Sequence, residues 1–398
     1  MGTSPASATS VKVYFENLNA IRFIAAFLVI IHHVEQFKNI LHVPNHWENP
    51  VIEVIGKLGV VLFFVLSGFL ISYLLFKEKE VTGTIGIRDF YIRRMLRIWP
   101  LYFLIVLSAF FLFPFVPFFT LADYPQSTVW HALFYKLALY VLFLPNVVLH
   151  VFGVIPYASQ AWSIGAEEQF YLVWPGLNKL FRNKWLLMLG VIVGYLLIKF
   201  GVYHVFPAGK YLTTFNAIWE STPIDCMAIG GFYAIVLYEN SSLALGLRRL
   251  VFNQGLQWAT LLATVTLVLR GTHIPYFHYE VYAVLFGLLI CNFAANPRRI
   301  FSMENPWSNY LGKISYGLYM FHSIAIVFSI RLLQRVGLQN DLILYPLVFA
   351  LVVVMSSLSY NYFEKRFISM KGRYAKIISG DSAKEELKPE AAQPMMAR

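Results

Sequence analysis

Charged residues are scarce in this sequence. Only 13% of its 398 residues are Asp, Glu, Lys or Arg, about half the share found in typical soluble domains. In their place, 58% of the residues are hydrophobic and 17% are aromatic. Apolar runs of about 18 residues or more recur along most of the chain, and such runs are typical of transmembrane helices. Since one soluble core could not bury so much apolar surface, the composition predicts an all-α integral membrane protein.

Cysteine, metal motifs and targeting signals are also lacking. The two cysteines, Cys226 and Cys291, both lie inside apolar segments, so they indicate neither a disulfide framework nor a zinc site. His42 and His46 stand at helical spacing without further obvious ligands, and we predict no metal site there. Residues 1–10 contain no basic residue, so we expect no cleavable signal peptide and an uncleaved first span.

Negative charge is scarcer than positive charge, and the formal net charge is +11. The basic residues form short clusters between the apolar runs, as the positive-inside bias of membrane proteins produces. This pattern predicts the lipid bilayer, and no nucleic acid, as a partner. The apolar runs predict a bundle of about ten transmembrane helices, at 18–41, 54–76, 99–119, 161–178, 185–206, 223–240, 256–271, 279–295, 310–331 and 342–363.

The apolar stretch 131–155 decides between ten spans and eleven. An eleventh span there would place the cluster around Arg93 on the opposite side of the membrane from every later basic cluster, against the positive-inside rule. Ten spans keep these clusters together and place both termini in the cytoplasm. The stretch is then a re-entrant or interfacial segment at the outer face, which Pro145 and Pro156 suit.

Outside the spans the chain offers little. We expect a short cytoplasmic N-terminal segment (1–17), a ten-span membrane domain (18–373) and a charged, disordered cytoplasmic tail (374–398). No internal period indicates a repeat protein. The oligomeric state is not indicated by any of these features.

Arg22 and His33 bring polar groups into the first span. Such side chains are costly to insert, so each ionisable one is a functional candidate. Their spacing of eleven residues corresponds to three helical turns plus about 20°, which places both on one face about 16 Å apart. Arg22 near the cytoplasmic surface is explained equally well as a snorkelling anchor. For His33, hydrogen bonding between helices and chemistry both stay open, while His32 points to another face.

Arg94 and Arg97 form a second candidate group. They are three residues apart, so on a helix they lie side by side at the cytoplasmic end of the third span. One interpretation is a topological anchor. The other is a phosphate clamp, because guanidinium groups match the geometry of phosphate oxygens.

Glu167 and Glu168 are adjacent carboxylates in the fourth span, after Trp162 and Ser163. Lipid cannot solvate them, so they must face a cavity or pair with a cation, and a structural ion pair is the alternative. In the ten-span orientation they reach a depth similar to that of His33. One of them is therefore placed to orient or charge-stabilise that imidazole.

Later spans add further polar groups. Ser315, Tyr319 and His322 follow i, i+4, i+7 spacing and make a polar stripe on one face of the ninth span. Asp225 lies in the sixth span. Glu364 ends the tenth span beside two basic residues, and a surface salt bridge explains it.

In this order, the motifs resemble those of acyltransferase family 3, multi-span O-acyltransferases that modify bacterial surface polysaccharides, peptidoglycan and some secondary metabolites. The resemblance runs from about Leu18 to Arg366. It rests on Arg22 followed after ten residues by His33, on Arg94 to Arg97, on the segment 63–71, on Trp162-Ser163 with 167–171, and on 315–319 with His322.

The resemblance implies a multi-pass protein of the bacterial inner membrane. The donor would be cytoplasmic acyl-CoA, most simply acetyl-CoA, and the acceptor a hydroxyl of a surface glycan, a lipid-linked sugar or a similar molecule. Because some relatives carry an extracytoplasmic hydrolase-like domain that this sequence lacks, we expect direct transfer to the final acceptor. Whether an acyl-histidine intermediate forms instead stays open.

The resemblance also implies roles for individual residues. His33 would act as general base on the acceptor hydroxyl, a task suited to an imidazole. The implied sets are Arg22, Arg94 and Arg97 for the phosphates of the donor, Glu167 and Glu168 as catalytic partners of His33, and Trp162, Ser163, Tyr319 and His322 for substrate binding.

Two other function classes compete. A proton-coupled transporter would use His33, Glu167 and Asp225 as a relay. A non-catalytic receptor or scaffold would use the same polar groups only to bridge helices. Neither accounts for an arginine pair at the cytoplasmic mouth with a histidine deeper in the membrane. The membrane-bound O-acyltransferases share the chemistry but not these motifs.

Overall fold

The computed structural model describes residues 11–205, 209–380 and 383. It is 77% helical with almost no sheet, which confirms the predicted fold class. In chain order the α-helices are α1 (Leu18–Ile40), α2 (Pro50–Thr82), α3 (Ile87–Phe111), α4 (Gln126–Trp130), α5 (Leu133–Val141), α6 (Pro145–Val151), α7 (Ala161–Leu180), α8 (Lys184–Val205), α9 (Lys210–Glu220), α10 (Ile224–Tyr238), α11 (Ser242–Val251), α12 (Gln254–Leu269), α13 (His278–Ala295), α14 (Pro306–Lys313), α15 (Ser315–Arg335), α16 (Asp341–Leu358) and α17 (Lys365–Met370).

Shorter elements complete the fold. Strand β1 covers Val11–Val13 and strand β2 covers Ile377–Ser379. A π-helical turn follows α16 directly, and three 3₁₀ turns lie at the ends of helices. The π-helical turn is Ser359–Glu364. The 3₁₀ turns are Phe113–Phe115, Pro117–Phe119 and Lys371–Tyr374.

Within the described residues, eight helices are long and apolar enough to cross a membrane. They correspond to predicted spans one to three, five, six and eight to ten. The other two predicted spans coincide with α7 and α12. Helix α7 is less apolar because it contains Glu167 and Glu168, and α12 has only 16 residues.

The stretch 131–155 is divided between α5 and α6. Helix α5 has nine residues, or about 13 Å of rise, which is less than half of a bilayer core of about 30 Å. Phe143 has a positive φ of 56°, and Pro145 begins α6. The backbone reversal before this proline is why the stretch forms no single long helix, as the sequence predicts.

The two ends of the described chain meet in a small parallel sheet. Val11 pairs with Ile377 and Val13 with Ser379, so both ends lie at one face of the bundle, as an even number of spans requires. The tail predicted as disordered, 374–398, therefore begins with an ordered strand, because its isoleucines find a β-branched partner strand. The rest of that tail, from 384 onward, lies outside the described residues, as do residues 1–10.

Helix α2 lies at the centre of the bundle and packs against α1, α7, α10 and α13. Its start is defined by the Asn49 side chain, which accepts a hydrogen bond from the amide of Val51. Its closest contact is with α10: a Cβ added to Gly68 would lie 1.8 Å from the Met227 carbonyl oxygen, and one on Gly230 would lie 2.0 Å from that of Val65. Glycine is therefore required on both sides of this contact.

Candidate active site

A cavity of about 840 Å³, measured out to its open mouth, lies between α1, α2, α3, α7 and α15. Helix α2 supplies most of the apolar wall, including Phe63 and Phe64. Six residues of the predicted site line this inner cavity, namely Arg22, Arg94, Arg97, Ser163, Glu167 and Tyr319.

One end of the inner cavity is strongly basic. Arg22 reaches it from α1, and Arg94 and Arg97 reach it from α3. Lys371, in the turn after α17, interacts electrostatically with all three arginines. We call these four residues the basic cluster. The sequence did not single out Lys371, because nothing in its local pattern indicates that the end of the chain folds back against α3.

The arginines of α3 have different environments. Arg93 forms a salt bridge of 2.9 Å with Glu78 and donates a hydrogen bond to the Tyr374 carbonyl, so its charge holds α2, α3 and the chain end together. Arg94 packs over the rings of Phe90 and Tyr171, and its buried Nε has no hydrogen-bond partner among the described residues. A buried guanidinium N–H of this kind is a ready donor to an anionic ligand.

Glu167 is held in place by a short hydrogen-bonded chain. The Tyr171 hydroxyl donates to Glu167 Oε2 at 3.0 Å, and Ser67 Oγ lies 2.5 Å from the same hydroxyl. Arg94 and Arg97 lie within electrostatic range of this carboxylate. The cavity thus brings a carboxylate and the basic cluster together. Tyr171 stands four residues after Glu167, on the same helix face, and that spacing is the signal that could have identified it.

Glu168 and Trp162 lie beside the inner cavity rather than in its lining. Trp99 donates to Glu168 Oε2 at 3.3 Å, and the other carboxylate oxygen is buried with no partner from the described ranges of the chain. The Trp162 ring packs edge-on against Phe64. In the described part of the chain, no hydrogen bond joins either carboxylate to His33. The expectation that a glutamate orients this imidazole therefore finds no support in the geometry.

His33 instead faces a second histidine. The ring centroids of His33 and His322 are 4.6 Å apart, with the planes inclined at 62°. His33 Nδ1 is 2.8 Å from the Val29 carbonyl oxygen, and His322 Nδ1 is 2.5 Å from that of Tyr319. Because a carbonyl oxygen only accepts hydrogen bonds, Nδ1 of each neutral ring carries the proton and Nε2 keeps its lone pair. The pair therefore presents two basic Nε2 atoms.

Tyr319 connects the inner cavity to the histidine pair. Tyr319 lines the cavity, and its hydroxyl lies 2.7 Å from Ser163 Oγ and donates to the Gln160 carbonyl at 2.8 Å. Its ring centroid is 5.8 Å from that of His322. The cavity lining does not include His33 or His322, which lie beyond Tyr319 on the side away from the basic cluster.

His32 has a packing environment. Its Nδ1 lies 2.6 Å from the Ile52 carbonyl oxygen, and its ring packs edge-on against Trp47. The ring also covers Gly56, where an added Cβ would lie 2.3 Å from the imidazole. Of the two adjacent histidines, His32 is thus the one that joins α1 to α2.

Asp225 belongs to a separate polar group. It is fully buried, and both its carboxylate oxygens have no hydrogen-bond partner among the described residues. The charges nearest to it are those of Glu280 and Lys199, which form a salt bridge of 2.7 Å. The described residues contain no group of three or more His, Cys, Asp or Glu side chains that could hold a metal ion.

Comparison with known families decides the assignment that the motifs suggest. Residues 15–361 match the sequence profile of a family described as an acyltransferase domain. The chain belongs to this acyltransferase family. The resemblance drawn from the motifs is thereby confirmed. Together with the eight long apolar helices, the match makes the chain a multi-pass membrane protein of that family.

Three curated bacterial proteins illustrate what the chain is similar to. The peptidoglycan O-acetyltransferase OatA of Listeria monocytogenes is 28% identical over 188 residues, which cover 46% of this chain and 28% of the relative. The putative peptidoglycan O-acetyltransferase YrhL of Bacillus subtilis is 25% identical over 380 residues, 88% of this chain and 54% of the relative. The O-acetyltransferase OatA of Staphylococcus aureus is 25% identical over 375 residues, 88% and 57% respectively. The chain spans about half the length of the latter two relatives and less of the first, and no solved structure matches it.

Proposed function

We propose that this protein is an O-acyltransferase of the bacterial inner membrane. It moves an acyl group, most simply acetyl, from cytoplasmic acyl-CoA to a hydroxyl of a surface glycan or a lipid-linked sugar. The observation that carries the proposal is the arrangement of one cavity, with the basic cluster at one end and the histidine pair behind Tyr319 at the other. The names of the relatives, which are O-acetyltransferases, support the same chemistry.

The basic cluster is suited to the phosphates of acyl-CoA. Arginine forms paired, charge-assisted hydrogen bonds with phosphate oxygens, and the buried Nε–H of Arg94 has no partner in the part of the chain that the structure describes. The apolar side chains of α2 that follow would accompany the pantetheine arm toward Tyr319. The anionic phosphate end of acyl-CoA therefore matches the basic end of the inner cavity. Its long, mostly uncharged pantetheine arm matches the apolar part.

The histidine pair is suited to the transfer step. His33 Nε2 takes the proton from the acceptor hydroxyl as the oxygen forms a bond to the thioester carbonyl carbon. The carbon–sulfur bond then breaks, and the leaving thiolate receives that proton to give free CoA and the ester. Ser163 and Tyr319 carry hydroxyl groups near the path between the two ends. Tyr319 donates its proton to the Gln160 carbonyl, so Ser163 is the hydroxyl placed to turn and donate to the thioester carbonyl oxygen as charge develops on it. Trp162 and His322 would complete the walls around the acyl group.

The transporter hypothesis has less support. It needs His33, Glu167 and Asp225 in one relay. Asp225, however, lies with Glu280 and Lys199, whereas Glu167 is bonded to Tyr171 in the inner cavity.

The test uses the purified protein in lipid nanodiscs with isotopically labelled acetyl-CoA and soluble oligosaccharides of N-acetylglucosamine. We expect label in the sugar ester. His33→Gln should lower kcat by about 10²–10⁴-fold, the usual contribution of a general base, while acetyl-CoA binding is unchanged.

The matched control is His32→Gln, since His32 is adjacent but serves packing. Full activity of His33→Gln would refute the role of His33. Proton-driven uptake of sugar into liposomes without CoA would refute the acyltransferase hypothesis in favour of the transporter hypothesis.

A further inference from the structure

A second cavity, here called the outer cavity, opens where α1 and α15 end and α16 begins. Its empty space, measured out to its open mouth, is about 640 Å³. Polar and aliphatic groups alternate around it. Its lining includes Lys38, Ile330, Leu333, Gln334, Gln339 and Asp341.

The outer cavity lies beyond the histidine pair on the same two helices. Helices α1 and α15 run side by side in one direction, since Arg22 and Ser315 both line the inner cavity and His33 meets His322 further along. Lys38 follows His33 by five residues, or about 7.5 Å of helical rise. The histidine pair therefore stands between the two cavities, and a ligand in the outer one approaches it from the side opposite to the donor.

The floor of the outer cavity is a fixed polar network. Lys38 is only 2% exposed and donates to Glu35 at 2.9 Å and to both oxygens of Asp341 at 2.9 and 3.0 Å. Glu35 also accepts from the Tyr345 hydroxyl at 2.6 Å and from the amide of His46. The three hydrogen bonds donated by Lys38 use all three N–H groups of its ammonium, so Lys38 has no free donor for an anionic ligand.

The charges and amides of the outer cavity favour an uncharged, hydroxyl-rich ligand. Two carboxylates face one ammonium group, so the network is net negative and disfavours phosphate or carboxylate ligands. Asp341 remains 46% exposed as an acceptor. Gln334 and Gln339 have no side-chain hydrogen bond among the described residues, and each amide can both donate to and accept from a hydroxyl.

We propose that the outer cavity is the acceptor site and binds a neutral sugar unit of the acceptor chain. The neighbouring unit then presents its hydroxyl to His33. The aliphatic side chains of Ile330 and Leu333 cover the apolar face of the ring, and Gln334, Gln339 and Asp341 bind its hydroxyls. This inference rests on the proposed function and gives it separate donor and acceptor sites.

The test fills the outer cavity without changing charge. Gln334→Trp in nanodiscs should raise KM for N-acetylglucosamine tetrasaccharide by at least about tenfold. The kcat at saturating sugar and the Kd for acetyl-CoA should stay as in the wild type. Val336→Trp is the matched control, since Val336 is two residues away, 58% exposed and not part of the lining.

The outcomes separate the two proposals. Unchanged KM in Gln334→Trp, with transfer intact in the wild type, overturns the acceptor site and leaves the proposed function standing. If the wild type shows no acyl transfer, the acceptor site is tested by measuring sugar binding in the absence of acetyl-CoA. Binding lost in Gln334→Trp but kept in Val336→Trp supports the site, and no binding to the wild type overturns it. Release of a co-purified phospholipid by Gln334→Trp, with sugar binding unaffected, would assign the cavity to a lipid and also overturn it.

Discussion

At the scale of single residues, backbone carbonyls set the tautomers of the histidine pair. The Val29 and Tyr319 carbonyls each occupy the Nδ1–H of one histidine of the pair, which leaves both Nε2 atoms as bases. This requires no carboxylate. A helical histidine can reach the carbonyl four residues earlier, as His33 does, so its own helix fixes the tautomer. Glu167 lines the inner cavity instead, and Glu168 is bonded to Trp99 beside it.

Arg94 provides the sharpest residue-scale prediction for donor binding. Arg94→Gln removes a charged donor whose Nε has no partner within the described residues, and hydrogen bonds to charged groups contribute about 1.5–3 kcal/mol. We therefore expect the Kd for acetyl-CoA, measured by isothermal titration calorimetry in nanodiscs, to rise at least about tenfold. The KM for the acceptor should be unchanged.

Arg88→Gln is the matched control, because Arg88 is exposed on the same helix and does not line the inner cavity. A parallel loss of donor and acceptor affinity in Arg94→Gln, or no loss of either, would contradict a phosphate-binding role.

Residue spacing along one helix predicted part of the candidate site. Contacts between different helices could not be predicted from the sequence. The shared face of Arg22 and His33 and the adjacency of Arg94 and Arg97 follow from helical geometry alone. The neighbour of His33 depends on tertiary packing. The sequence therefore suggested a glutamate and did not identify His322. Lys371 was missed for the same reason.

At the scale of elements, the central feature is the close contact of α2 with α10. The backbones touch at Gly68 and Gly230, and this contact places the apolar wall of the inner cavity. Without a hydrophobic driving force between helices in lipid, such close packing is a main source of their association. The position of the site therefore depends on two glycines that take no part in its chemistry.

Gly68→Ala should consequently destabilise the bundle. The added Cβ would lie 1.8 Å from the Met227 carbonyl oxygen, and overpacking of this kind typically costs about 1–3 kcal/mol. We expect a lower Tm in detergent, followed by intrinsic tryptophan fluorescence. Gly190→Ala in α8 is the control, since nothing lies within 4 Å of a Cβ there and alanine has the higher helix propensity. Equal Tm values for the two variants would contradict the role of this contact.

Most elements could be predicted because membrane spans are encoded locally. An apolar run of sufficient length forms a helix whatever its neighbours. This is why eight of the ten predicted spans coincide, in the described part of the chain, with helices long and apolar enough to cross a membrane. The pairing of Val11–Val13 with Ile377–Ser379 could not be predicted. It joins strands at opposite ends of the chain, and each is too short to give a periodic signal.

At the scale of the whole molecule, two cavities lie on opposite sides of one histidine pair. The inner cavity carries the basic cluster, and the outer cavity carries a net negative network. The proposed reaction needs the basic side in the cytoplasm, where acyl-CoA is available, and the other side facing the acceptor. The direction in which the bundle is inserted is thus part of the mechanism.

Cysteine labelling in intact cells tests this orientation. Cys226 and Cys291 are both buried, so single cysteines can be added to the natural background. His46→Cys, in the exposed loop after α1, should react with a membrane-impermeant maleimide in intact cells. Thr84→Cys, in the exposed turn between α2 and α3, should react only after the cells are permeabilised. Thr84 lies on the same side of the bundle as the basic cluster, and the positive-inside rule predicts that this side faces the cytoplasm. The reverse labelling pattern would place the basic cluster on the outer side, away from acyl-CoA. Donor binding by the arginines would then be excluded, whatever the chemistry of the histidine pair.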